Sequence, residues 1–100
     1  MKKYSVIWSP KFKSELMNIY SYIYFYLQAP KAAVRFRQNI ISLISNLYFF
    51  PYRYERLSNY SNLRKISIKN YIIIYEVNEF SKQVYVLNIF HGSKDYLDNI

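Results

Sequence analysis

Seven residues hold most of the chemistry this sequence can offer. Arg64, Lys65 and Lys69 fall within LRKISIKN, Arg53 and Arg56 within the preceding YRYERLSNYSN, and His91 and Lys94 within HGSKD. Arginine and lysine neutralise phosphate charge, and a neutral imidazole can move a proton near pH 7. Arg64, Lys65, His91 and Lys94 are therefore the candidate catalytic residues. All seven are candidates for holding a nucleic acid or another target. An ordinary structural reading stands beside each: a strand-end histidine, solvated strand charges, a turn lysine.

Other chemistries find little support. The chain has one histidine, so a nucleophile–His–acid triad could form only through His91. No serine sits in a nucleophile-elbow context. With no cysteine and six carboxylates, a metal site would need scattered acidic ligands. No Gly-rich phosphate loop is present, since the chain has a single glycine. Neither a metal nor a cofactor is expected.

Composition points to polyanions. The net charge is +8, and tyrosine occurs 13 times. Cations bind phosphates, and aromatic rings stack on bases. Two other sources of the aromatic excess remain open. An AT-rich genome inflates Tyr, Ile, Asn and Lys, and an obligate protein partner buries aromatic side chains.

The elements that must position these residues can be read from spacing. Residues 4–8 alternate and form the first strand. Ser9-Pro10 starts a helix, with Ser as N-cap and Pro at the first helical position. Phe12, Leu16, Ile19, Tyr20, Ile23 and Leu27 recur on one face, so the first helix is expected over residues 10–27. Pro30 opens a second helix with the stripe Ala33, Phe36, Ile40, Leu43, Ile44 and Leu47. Pro51 ends it and leaves Tyr48, Phe49 and Phe50 as an expected aromatic plug. Residues 52–62 show no period and form a candidate functional loop.

Three strands come next, over residues 63–68, 71–77 and 83–91. Arg64, Ile66 and Ile68 share one face of the first of these, and Lys65, Ser67 and Lys69 the other. Lys69-Asn70 is a tight turn in which Asn70 is expected to supply the positive φ. Residues 71–77 are apolar on both faces, which marks a central strand. In the last strand Tyr85, Leu87, Ile89 and His91 are expected on one face. The start of the Arg64 strand and the end of the His91 strand are expected at one end of the sheet, where Arg64, His91 and Lys94 would converge. Residues 96–100 are expected to form a short helix or an extended cover.

The order β-α-α-β-β-β implies an α+β fold, with a helical hairpin packed on a small, mostly antiparallel sheet. At 100 residues the chain is expected to be one domain. The apolar run after Met1-Lys2-Lys3 is too short for a signal peptide, and residues 19–27 are too short to span a bilayer. A cytoplasmic location is expected.

YSVIWSPKFKSELMNIYSYI, APKAAVRFRQNIISLISNLYFFP, LRKISIKNYIIIYEVN and VYVLNIFHGSKDYL succeed one another in an order that resembles the RelE/ParE superfamily of toxins from type II toxin–antitoxin systems. The resemblance covers nearly the whole chain. It implies a growth-inhibitory toxin neutralised by a cognate acidic antitoxin in a hetero-oligomer. Two activities share that fold. RelE-like members cut mRNA on the ribosome without metal, whereas ParE-like members poison DNA gyrase. RelE-like nucleases commonly carry Arg after the tyrosine that Tyr71 matches, and this chain has Ile72. The HGSKD ending is similar to the HGxRD of ParE-like and plasmid-stabilisation members. Both features favour gyrase inhibition. The alternatives are a ribosome-dependent endoribonuclease built on Arg64, Lys65, His91 and Lys94, and a non-toxic nucleic-acid-binding module. Tyr22, Tyr24 and Tyr26, partly off the first helix's apolar stripe, are the expected antitoxin contacts.

Overall fold

Ser9 sets the entry to the first helix. Its hydroxyl accepts the Phe12 N–H at 3.0 Å and donates to the Leu87 carbonyl at 3.0 Å, so one side chain caps the helix and ties it to the sheet. The computed structural model describes residues 3–59 and 61–92. Its strands are β1 (Ser5–Trp8), β2 (Leu63–Ile68), β3 (Tyr71–Asn78) and β4 (Gln83–His91). Its α-helices are α1 (Pro10–Ser21) and α2 (Pro30–Ser45). The expected tail segment, residues 96–100, lies outside the described residues.

The sheet runs β1-β4-β3-β2. β1 pairs in parallel with β4, while β2–β3 and β3–β4 are antiparallel. A parallel pair cannot be closed by a tight turn, so the helical hairpin forms part of the long connection between β1 and β4. Both helices cover one face of the sheet. Phe12, Leu16, Phe36, Ile40, Ile44 and Leu47 meet Ile66, Ile73, Tyr75, Val84, Val86 and Ile89 there. Phe12 and Ile40 are fully buried, each adding about 2 kcal/mol over an exposed position. A smaller cluster of Ile72, Ile74 and Phe90 forms on the opposite face, packed by Leu57, Leu63 and Leu87. β3 is central, as its two apolar faces require.

The first helix departs from expectation after Ser21. Tyr22–Tyr26 forms a π-helical turn, in which the Leu27 N–H reaches the Tyr22 carbonyl at 2.9 Å. A π turn inserts one residue and rotates the downstream chain by about 100°. Leu27 therefore leaves the apolar stripe and is half exposed. The expected plug at residues 48–50 is also corrected. Leu47 is the buried residue, and after it the chain tightens into a 3-10 turn, Asn46–Tyr48, that carries Tyr48, Phe49 and Phe50 outward to exposed positions.

Two local expectations change in the sheet. The positive φ of the β2–β3 turn falls on Lys69 (52°), not on Asn70. The Asn70 carbonyl is instead held by the Gly92 N–H at 2.6 Å. In β4, Val86 opposes Tyr75 and Asn88 opposes Ile74, so Leu87 is a bulged residue without a partner on β3. The extra residue flips the alternation. Ile89 thereby joins Val84 and Val86 on the helix side, and Leu87 packs with Phe90 on the other.

Candidate functional site

Register decides which candidates can meet. Arg64 pairs with Tyr75, which pairs with Val86. His91 pairs with Tyr71, which pairs with Ile68. β2 and β4 are both antiparallel to β3, so they run the same way, with their starts at one end of the sheet and their ends at the other. Arg64 and His91 are separated by four residues of β3, roughly 13 Å along the strand. The expected convergence of Arg64 with His91 does not occur. Lys94 lies outside the described residues.

At the His91 end, the imidazole meets the Tyr71 ring edge-on at 5.6 Å, and Tyr71 packs on Phe36 at 5.1 Å. Burial raises the Tyr71 phenol above its usual value, with a smaller push from Tyr22. β1 stops at Trp8, which leaves the neighbouring edge of β4 without a strand. Side chains from the start of α1 fill that place: Ser9 at the Leu87 carbonyl, and Glu15, whose carboxylate accepts the Ile89 N–H at 3.0 Å. A cleft of about 500 Å³ lies here, lined by Glu15, Asn18, Tyr22, Tyr71 and His91 among others. A neighbouring cleft of about 330 Å³ is lined by Ser67, Lys69, Asn70, Tyr71, Ile72, His91 and Gly92. Ile72 is 8% exposed. A Cβ at Gly92 would lie 3.4 Å from the Ile72 side chain.

The opposite end gathers Arg53, Arg56 and Arg64. The loop before β2 runs back along its edge. Leu57 N–H donates to Leu63 O at 2.9 Å, Lys65 N–H to Glu55 O at 3.1 Å, and Arg56 sits directly across from Arg64. One Arg64 nitrogen donates to the Tyr54 carbonyl at 2.6 Å, and its guanidinium lies 4.9 Å from the Tyr52 ring centre. Arg53 stays exposed with its guanidinium 5.8 Å from the Tyr54 ring. Lys65 points to the other face and pairs with Glu55 at 3.5 Å.

Glu79, in the β3–β4 hairpin, closes this region. Its carboxylate accepts the Tyr4 hydroxyl at 2.8 Å and the Tyr52 hydroxyl, and it pairs with Lys82. Burial, then the neighbouring Tyr4 phenol, raises the Tyr52 pKa. The resulting cleft, about 520 Å³, is lined by Tyr52, Arg56, Asn62, Arg64, Glu76 and Phe80 among others. Sequence reasoning missed Tyr52, Glu76, Glu79 and Phe80. An aromatic residue between an acid and a lysine in a hairpin loop, EFSK, was the available signal for Phe80.

The tyrosines expected to meet a partner lie on the π-helical turn. Tyr22 and Tyr26 are 49% and 76% exposed and stack at 5.0 Å, while Tyr24 is half-buried and stacks on Tyr20 at 5.7 Å. Phe25 is 70% exposed beside them. Among the described residues no helix is long and apolar enough to cross a membrane. No cluster of three His, Cys, Asp or Glu that could hold a metal ion forms among them either.

Residues 6–96 match the family model described as the ParE toxin of the type II toxin–antitoxin system parDE. Several solved chains share the fold, among them two from toxin–antitoxin systems. One is from the chromosomal ParDE toxin–antitoxin system of P. aeruginosa, with a TM-score of 0.73, 22% identity, and coverage of 89% of this chain and 96% of that one. The other is from the RelBE2 toxin–antitoxin complex of Mycobacterium tuberculosis, with a TM-score of 0.65, 14% identity, and coverage of 89% and 98%. No curated protein matches the sequence.

Proposed function

Because this chain belongs to the family of ParE toxins of type II toxin–antitoxin systems, we propose that it arrests growth by inhibiting DNA gyrase in the cytoplasm. The whole chain acts as one toxin domain, and a cognate acidic antitoxin neutralises it. The observation that carries this reading is Ile72. Cleaving RNA requires cations placed around the developing charge on phosphorus. At the His91 end that position holds a nearly buried isoleucine, and Arg64 is four ladder positions away. Lys69 is the lysine or arginine that lines the His91 cleft among the described residues. A non-enzymatic toxin needs no such cluster.

The antitoxin reading rests on charge and exposure. The net charge of +8 steers an acidic segment toward the chain. Tyr22, Phe25 and Tyr26 offer exposed rings of the kind that anchor interfaces. The ParDE and RelBE2 neighbours both come from toxin–antitoxin systems.

A supercoiling assay tests the target. Purified toxin should block gyrase supercoiling or trap a cleavage complex, and added antitoxin should reverse the effect. Unimpaired supercoiling at saturating toxin, with codon-positioned cuts seen by primer extension on mRNA from expressing cells, would establish the endoribonuclease instead.

A further inference from the structure

The net charge of +8 attracts an acidic partner but does not fix where it lands. One cleft carries the opposite sign. Glu15, on α1, holds the open edge of β4 through one oxygen, which accepts the Ile89 N–H at 3.0 Å. Its other oxygen accepts no hydrogen bond among the described residues. Glu55 and Glu79 each pair with a lysine, whereas no lysine or arginine among the described residues pairs with Glu15. Glu76 has no such pair either, but its place in β3 sets it on the face of Ile72 and Ile74, away from the helices.

Aromatic rings stand beside Glu15. Tyr71 and His91 are register partners on the helix side of the sheet, and their rings meet at 5.6 Å. Tyr22 enters from the π-helical turn, near enough to push the Tyr71 phenol further above its usual value. With Asn18 they line the cleft of about 500 Å³. Tyrosine ring faces attract cations, and a carboxylate beside them is a charge-assisted acceptor. A guanidinium uses both, because it stacks on a ring while donating in its own plane. A lysine ammonium is more strongly hydrated and has no plane to stack. An acidic side chain placed here would meet Glu15 and be repelled.

We propose that the Glu15 cleft receives an arginine side chain of the antitoxin. The guanidinium donates to the second oxygen of Glu15 and stacks on Tyr22. The proposal rests on the antitoxin reading of the π-helical turn, to which Tyr22 belongs, and is independent of the gyrase target. The basic surface steers an acidic segment onto the chain. The single arginine then sets its register, because a cation displaced from the cleft meets like charge.

Two measurements on the full chain separate the cleft from its occupant. In an NMR titration, N-acetyl-arginine amide should shift the Tyr22, Tyr71 and Ile89 signals. N-acetyl-citrulline amide, a neutral isostere, should shift them far less, and Glu15→Gln should abolish the difference. A glutamine amide oxygen still accepts the Ile89 N–H, so thermal melting of this variant should match the native chain. In calorimetry with the cognate antitoxin, Glu15→Gln should weaken the complex about 10-fold. One antitoxin arginine-to-glutamine variant should weaken it equally, with little further loss when the two changes are combined. Equal shifts by the arginine and citrulline amides, or a Glu15→Gln complex as tight as the native one, would overturn the proposal. A tight Glu15→Gln complex together with a positive titration would make a free guanidinium compound the occupant. No complex between antitoxin and the native chain would overturn the antitoxin reading itself.

Discussion

The Tyr75 hydroxyl donates to the Pro51 carbonyl at 2.7 Å inside the core. This bond joins the central strand to Pro51, three residues beyond the 3-10 turn in which the second helical segment ends. It also leaves the phenol fully enclosed, and burial pushes its pKa up to about 12 from 10.0. The folded state therefore holds this proton more tightly than the unfolded chain does. Stability from Tyr75 is complete below about pH 10 and is lost as pH rises toward about 12, at up to about 1.4 kcal/mol per pH unit. Chemical denaturation at pH 9 and pH 11 should show the midpoint falling. Tyr75→Phe should reduce this alkaline dependence while costing about 1–2 kcal/mol at neutral pH, because the Pro51 carbonyl loses its donor.

Ser9 makes two bonds across the join between α1 and β4. Ser9→Ala removes a helix cap and releases the Leu87 carbonyl. The expected cost is about 1–2 kcal/mol by urea denaturation. Ser9→Gly should be milder at the cap itself, since glycine is tolerated there. Equal stability of Ser9→Ala and the native chain would contradict the capping role.

Glu79 gathers two phenols and a lysine at a partly exposed site. Glu79→Gln should destabilise by no more than about 1 kcal/mol, because solvent screens such a pair. Its clearer effect should be local: faster hydrogen exchange across the β3–β4 hairpin and the loop that carries Tyr52.

Tyr22 and Tyr26 are exposed and stack on each other, not on the core. Changing either to Ala should shift thermal stability little. If the π-helical turn anchors the antitoxin, the double variant should weaken the complex by at least 10-fold in calorimetry, on the scale of aromatic hot spots. Undiminished affinity would move the antitoxin surface elsewhere.

Ile72 lies in the small apolar cluster with Ile74 and Phe90. Placing a charge there should be costly. Ile72→Arg is expected to lower stability by about 3 kcal/mol through an unpaired buried cation. It should not confer RNA cleavage, because Arg64 and the Arg56 across from it stand at the far end of the sheet.

Most of the architecture was legible in the residues. Ser9-Pro10 and Pro30 mark helix starts by backbone chemistry alone, and the stripe Phe12–Leu16 and that of Ala33–Leu47 turn inward as their spacing requires. β2 and β4 begin and end where the apolar runs do. The π-helical turn was not legible, because an inserted residue changes hydrogen bonding without changing the local apolar pattern. The Leu87 bulge was hidden for the same reason: the strand is apolar throughout, so a flip of faces leaves its composition unchanged.

The candidate site was legible as a set of residues and not as an arrangement. The basic loop, the Arg64 strand and the His91 exit could be named in advance. Sequence alone determined the charge, the order of elements and the helical and strand periods, because these arise from local chemistry. Only the tertiary structure decided that β2 and β4 run in the same direction, and so that Arg64 and His91 stand apart. It likewise decided that Arg56 folds back opposite Arg64, and that Glu79 reaches Tyr4 and Tyr52. Those relations are set by strand direction and register, which depend on pairings between segments distant in the chain.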